Sequence, residues 1–233
     1  MLFNKRKKTE SVELNLYNKY KDYTMVPPKP FVDNLQLVEK FKNKLPEGDI
    51  VECGVWKGGA AAALYEILSS DRKVHLFDSF EGLPEVNEKD GVWAKKWQTE
   101  KDLWYMDNCA IDENYAKQAM KIASCSNYKI YKGWFEKTLK EFDGEKIAIL
   151  RIDGDWYDSV WDVFVQLYDK VEKGGLIIID DFYAWEGCTR AVYDYLSSRT
   201  IVDRIRSTEH DVAYIIKNEE WPFEKVQKRQ VKV

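Results

Sequence analysis

Histidine is almost missing from this chain: its 233 residues hold only His75 and His210. A histidine general base is therefore an unattractive basis for any chemistry. His75 stands inside an apolar strand pattern and reads as a packing residue, while His210 lies in a charged turn and is expected to be exposed. Cysteine is scarce and scattered. Cys53, Cys109, Cys125 and Cys188 show neither Cys-x-x-Cys nor Cys/His spacing, which argues against a zinc site or a disulfide frame and fits a reduced, cytoplasmic setting. No apolar run approaches membrane-spanning length, and the N-terminus lacks the apolar core of a signal peptide, so no membrane insertion is expected. An excess of positive charge is missing too. Acids outnumber bases, 40 to 36, for a formal net charge of −4, which argues against a nucleic-acid partner. The one basic cluster, Lys5-Arg6-Lys7-Lys8, reads as a solvated tail. Internal repeats, low-complexity segments and the GxGxxG dinucleotide fingerprint are also absent.

What remains suits one α/β domain over residues 1–233. An N-terminal arm, 1–32, is polar and then irregular, ending near Pro27-Pro28-Lys29-Pro30. Asp33 and Gln36 have the spacing of a capping box, so a helix is expected to open at Asp33. Short apolar strands follow at Asp49–Gly54, Val74–Asp78, Tyr128–Tyr131, Ile147–Ile152 and Leu176–Ile179, with two late segments near 201–206 and 212–216. Helical patterns lie between them, one of them ended by Gly174-Gly175. Strands alternating with helices predict a parallel sheet with helices on both faces.

Ligands of such sheets bind beyond the carboxyl ends of the strands. This chain places acids there four times: Glu52, Asp78, Asp153 and the pair Asp180-Asp181. Solvated turns explain one or two of these; all four together favour a site. RIDGDWYD, at 151–158, crowds Asp153, Asp155 and Asp158 into six residues, an arrangement that a cation or a proton must relieve. Asp153, Asp180 and Asp181 form a hard, oxygen-rich set suited to Mg²⁺, with Mn²⁺ or Fe²⁺ as alternatives. Asp158 is expected to cap the next helix. Gly54-Val55-Trp56-Lys57-Gly58-Gly59 reads as a cofactor loop, and Asp78 stands where α/β cofactor folds place a ribose-binding acid. Residues 84–112, with Trp93, Trp97, Trp104 and Tyr105, are too long for an ordinary connection. Their aromatics can wall an acceptor, pack on one another, or meet a second subunit.

Six stretches together resemble the macrocin/mycinamicin O-methyltransferase family: DNLQ at 33–36, GDIVECGVWKGGAA at 48–61, DSFEGLP at 78–84, KGWFEKTL at 132–139, RIDGDWYDS at 151–159 and GGLIIIDDFYAWEGCTRAVYDY at 174–195. The resemblance implies the Rossmann-like class I methyltransferase fold, a seven-stranded, mostly parallel sheet whose last two strands form an antiparallel edge hairpin. It implies S-adenosylmethionine (SAM) and a divalent metal as cofactors, and a homo-oligomer. Glu52, Gly54, Val55, Gly58 and Gly59 would hold the methionine part of SAM, Asp78 with Ser79 the ribose, and Gly133, Trp134 and Phe135 the adenine edge. Thr24 and Met25 match an arm that closes over the cofactor. Asp153, Asp180 and Asp181 match the metal ligands. Residues 84–112 differ from those of macrolide-modifying members, which points away from a macrolide acceptor. Trp156 stands where related catechol methyltransferases carry a lysine base.

These parts predict transfer of a methyl group to a sugar hydroxyl, on a nucleotide-activated sugar or a glycan precursor. A sulfonium methyl is already electrophilic, so alignment and a nucleophile are what the protein must add. A cation lowers the hydroxyl pKa, and Asp153 or Asp155 takes the proton. Two alternatives stay open: a natural-product or phenolic hydroxyl as acceptor, and a glycosyltransferase reading of the DxD at Asp153-Gly154-Asp155.

Overall fold

The computed structural model describes residues 11–69, 71–101 and 105–219; Lys5-Arg6-Lys7-Lys8 and Trp104 lie outside the described residues. Seven strands follow one another as β1 (Asp49–Cys53), β2 (Val74–Asp78), β3 (Tyr128–Lys132), β4 (Ile147–Ile152), β5 (Val171–Ile179), β6 (Arg206–Ser207) and β7 (Ala213–Ile216). They join in one sheet of order β3-β2-β1-β4-β5-β7-β6. Strands β1 to β5 pair in parallel, while β7 runs antiparallel to β5 and β6 to β7. This is the sheet, with its antiparallel last hairpin, that the resemblance implies.

The helices are α1 (Val12–Tyr20), α2 (Pro28–Phe41), α3 (Gly59–Leu68), α4 (Gly91–Glu100), α5 (Asn114–Ile122), α6 (Phe135–Thr138), α7 (Tyr157–Leu167) and α8 (Glu186–Ser198). Alternation along the strands splits the core in two. Ile50, Ile149 and Ile178 face a cluster built from α1, α2, α3 and α5, including Leu16, Leu35, Leu64 and Met120. Val51, Leu150, Ile177 and Ile179 face the other, built from α7 and α8, including Val160, Phe164 and Val192.

Four details differ from the sequence-based expectation. The N-terminal arm holds α1, which buries Leu16 and Tyr20, because one apolar residue per turn suffices to seat a helix on α2 and α3. Helix α2 opens at Pro28 rather than at Asp33. Prolines fit a first helical turn, where their missing N–H groups would have no partner anyway. Gly174-Gly175 lie inside β5 and do not end a helix: α7 stops at Leu167 and Val171 already pairs with Ile147. The pairing shifts between Ile147 and Ile149, and Gly174 adopts φ +81° there. Asp158 does not cap α7; it is exposed and binds Lys89 Nζ and Asn87 Nδ2, each at 2.9 Å. The Tyr157 N–H that opens α7 donates instead to Asp90 Oδ1, at 2.7 Å.

Candidate active site

A cavity of about 530 Å³ opens at the carboxyl ends of β1, β4 and β5, within the ~300–1,000 Å³ typical of small-molecule sites. Glu52, Gly54, Val55, Asp78, Asp153, Asp155, Asp180 and Asp181 all line it, with Thr24 and Met25 from the N-terminal arm. A pocket of about 60 Å³ shares Gly54, Asp78 and Asp153 with it and continues to Ser79, Gly133, Trp134 and Phe135. Apart from Gly58 and Gly59, the residues assigned to methionine, ribose and adenine thus follow one another along a continuous wall.

Local structure explains most of that wall. Gly54 adopts φ +88°, and a Cβ there would stand 1.7 Å from the Asp153 carbonyl oxygen, so only glycine lets β1 and β4 end side by side. Asp78 Oδ2 accepts the Val55 and Trp56 N–H groups at 2.7 and 2.8 Å, and Oδ1 accepts the Phe80 N–H at 2.6 Å. Its carboxylate therefore shapes the loop after β1 as well as facing the cavity. Ser79 Oγ donates to the Gly82 carbonyl and accepts the Glu81 N–H, a turn lock rather than a free hydroxyl. Gly58 and Gly59 play another part than the one expected. A Cβ on Gly58 would meet Ala116 Cα at 3.0 Å, and one on Gly59 the Tyr23 carbonyl oxygen at 2.6 Å. They seat α3 against α5 and the arm, and neither is among the residues lining the cavity.

The acids divide around a residue that the sequence reading passed over. Arg151 is buried, and its Nη1 lies 2.8 Å from Glu52 Oε1 and 2.7 Å from Asp153 Oδ2, with Nη2 2.8 Å from Asp180 Oδ1. The Asp180 contact is an ion pair only, because neither Nη2 nor Oδ1 makes a hydrogen bond, and Arg151 Nε has no partner either. Strand alternation could have revealed this. Arg151 precedes Asp153 by two residues and pairs in register with Glu52, so all three share a side of the sheet. Asp180 continues the parity of Ile178 toward Arg151, and Asp181 falls on the opposite side.

Asp181 joins Asp153 and Asp155 at the strand ends, each offering one oxygen, and the three oxygens lie within 4.8 Å of one another. The Asp155 N–H donates to Asp181 Oδ2 at 3.1 Å, with Asp155 held at φ +52°, a costly conformation for a residue with a side chain. Burial first, then the Asp153 charge, pushes the Asp155 carboxyl up to about 8, against a hydrogen bond from Trp185. Burial raises Asp181 as well, followed by the charges of Asp155 and Asp153. Asp180 is raised to about 6 by burial, with Arg151 opposing. Glu52, whose Oε2 accepts the Ala61 N–H, is raised to about 8 by burial, again with Arg151 opposing. One guanidinium thus faces three carboxylates, and Asp155 and Asp181 have none. That surplus of hard oxygen donors at Asp153, Asp155 and Asp181 fits a divalent cation. The acidic wall of Glu52, Asp78 and Asp153 equally suits the sulfonium and ammonium charges of SAM.

Residues 84–101 and 105–112 supply Trp97 and Cys109 to the cavity wall. Trp97 packs edge-on against Trp156 and Trp185, at 5.9 and 6.1 Å between ring centroids, and both Trp97 and Trp185 line the cavity beside Cys109. The Cys109 thiol is pushed up to about 12 by burial and by the neighbouring aspartates, so it is a packing group and not a nucleophile. His75 is buried as expected, between Tyr131 Oη at 2.9 Å and Asp49 Oδ2 at 3.0 Å. His210 is not the free surface residue expected. It is half-buried, contacts Asp33 and lines the cavity.

The model of the macrocin O-methyltransferase family, TylF, matches residues 5–217. The chain belongs to the TylF family. A demethyldecarbamoylnovobiocin O-methyltransferase from Streptomyces niveus is 32% identical over 198 residues, covering 82% of this chain and 74% of that protein. A mycinamicin III 3''-O-methyltransferase from Micromonospora griseorubida is 31% identical over 201 residues, 82% of this chain and 77% of that one. Among solved structures, the O-methyltransferase NovP superposes with a TM-score of 0.70 at 29% identity, over 84% of this chain and 83% of its own. This TylF-family member is accordingly a SAM-dependent O-methyltransferase with the class I fold.

Proposed function

We propose that this TylF-family enzyme methylates a sugar hydroxyl and works with a divalent cation. The observation that carries the reading is the convergence of Asp153, Asp155 and Asp181 within 4.8 Å, in the cavity that Gly54 and Asp78 also line. We assign Asp153 and Asp181 of that cluster to the cation, with Asp180, which ion-pairs with Arg151, as the third ligand, and Asp155 to the proton. Asp155 suits that part by its place beside Asp153 and Asp181 in the cavity.

When bound, SAM supplies an electrophilic methyl group, and the cation supplies positive charge that makes a nearby hydroxyl more acidic. The protein does the rest. Glu52, Gly54 and Val55, which line the cavity, would border the methionine end, and Asp78 with Ser79 and Gly133-Trp134-Phe135 would border the nucleoside. Asp155 accepts the hydroxyl proton, and Trp185 holds that carboxylate by its hydrogen bond. Trp97 and Trp185 give the acceptor an apolar face and keep water from the reacting oxygen.

The sugar class is supported by two relatives' names: the 3''-O-methyltransferase of mycinamicin III, and a methyltransferase from Streptomyces olivaceus acting at the 4' position of a dimethoxy-rhamnosyl tetracenomycin, 33% identical over 195 residues. A mass-spectrometric screen of the enzyme with SAM, Mg²⁺, nucleotide sugars and catechols tests it. A methylated sugar nucleotide is the expected product, and exclusive methylation of the catechols contradicts the reading.

A further inference from the structure

Sheet order divides the cavity. The loops after β1, β2 and β3 supply Gly54, Asp78 and Gly133 on one half, and the turn between β6 and β7 closes the other. That turn carries His210, three residues before Ala213, which pairs with Ile179 just ahead of Asp180-Asp181. One buried carboxylate, Asp33 of α2, grips it from 177 residues away in sequence. Asp33 Oδ2 accepts the His210 N–H at 3.0 Å, and Oδ1 lies 3.1 Å from His210 Nδ1. Thr208 also hydrogen-bonds Asp33 from its side chain, while its Oγ1 accepts the Val212 N–H at 3.1 Å. Burial would raise the Asp33 pKa, but these donors outweigh it and keep the carboxyl below its ordinary value, so Asp33 is an acceptor only. An acceptor at Nδ1 requires the imidazole proton to sit there. In the neutral ring Nε2 then carries the lone pair, on a residue that lines the cavity, on the half away from the nucleoside pocket.

We propose that the Asp33–His210 pair holds the acceptor: Asp33 fixes the ring so that His210 Nε2 accepts a hydrogen bond from an acceptor hydroxyl other than the one methylated. The inference deepens the sugar reading and rests on it, because it needs a substrate with a second hydroxyl donor. His210 is a positioning residue here and takes no proton from the reacting oxygen.

The test uses ¹⁵N-histidine-labelled enzyme loaded with S-adenosylhomocysteine, with TDP-rhamnose as the probe. The chain has two histidines, and His75, whose two ring nitrogens meet Tyr131 and Asp49, serves as the internal control. The expected spectrum shows His210 protonated at Nδ1, with its Nε2 signal moving on addition of the sugar while those of His75 stay still. In turnover, His210→Phe should raise the KM for the sugar about 3- to 10-fold, the scale of one hydrogen bond. The KM for SAM should hold within about twofold on the same scale, and Asp33→Asn should follow His210→Phe. A proton on Nε2, an unmoved Nε2 signal, or equal losses for SAM and sugar would overturn the proposal. The sugar reading fails separately, if the wild type methylates catechol and no nucleotide sugar; the pair is then judged by the same readouts with catechol.

Discussion

Arg151 shows how much of the site depends on one side chain. It is the guanidinium that sits among Glu52, Asp153 and Asp180, at 2.7 to 2.8 Å from each. Removing one partner of a buried ionic group costs about 3–5 kcal/mol, because the remaining charges are left without compensation. Arg151→Met should therefore lower the unfolding free energy by about that amount in urea, and weaken SAM binding measured by calorimetry. A variant as stable as the wild type would mean that the three carboxylates are already protonated and need no cation. At this scale the sequence was half legible. The strand-end acids stood out because four of them recur at equivalent places. Arg151 sits in the same stretch, yet its role depends on strand parity and on the register with Glu52. Asp158 looked like a cap, and the actual acceptor for the first N–H of α7 is Asp90, which lies 67 residues from Tyr157.

The insert shows the same thing one level up. Its length marked it as unusual, but nothing local says that it is pinned rather than loose. Asp90 does the pinning. It is fully buried, accepts the Asn87 N–H at 2.7 Å and the Tyr157 N–H at 2.7 Å, and lies against Gly187, where a Cβ would stand 2.7 Å from its Oδ1. The carboxylate also faces the positive end of α7. Gln98 adds bonds to the Pro84 carbonyl and Asn108 Oδ1, and Trp156 Nε1 donates to the same Pro84 carbonyl. The aromatic wall is thus fastened to the starts of α7 and α8, which Trp156 and Trp185 immediately precede. Asp90→Ala leaves the buried Tyr157 N–H unpaired and should cost about 1–3 kcal/mol. Chemical denaturation should show that loss, and acceptor KM should rise more than SAM KM because the wall moves. Equal effects on both constants would mean that the insert serves the cofactor instead. Helix α2 is the converse case: its prolines looked like irregular chain, but they fit a first helical turn.

Across the whole molecule, the sheet assigns the jobs. Loops after β1, β2 and β3 line the side proposed for the cofactor, β4 and β5 present the acids at the centre, and the β6–β7 turn with the arm closes the far side. The order of the strands was legible as alternation of short apolar runs with helices, and the antiparallel edge followed from the resemblance. What could not be read was which residues 100 or more positions apart would meet, as Asp33 and His210 do. The central claim is that the aspartates ending β4 and β5 hold a divalent cation that makes the acceptor hydroxyl reactive. Methyl transfer by EDTA-treated enzyme, measured before and after Mg²⁺ is restored, tests it most directly. A metal contributing several kcal/mol at ~1.4 kcal/mol per tenfold implies a loss of at least about 100-fold on chelation. Restored Mg²⁺ should recover the rate in the wild type and not in Asp181→Asn. Full activity in EDTA would contradict the account.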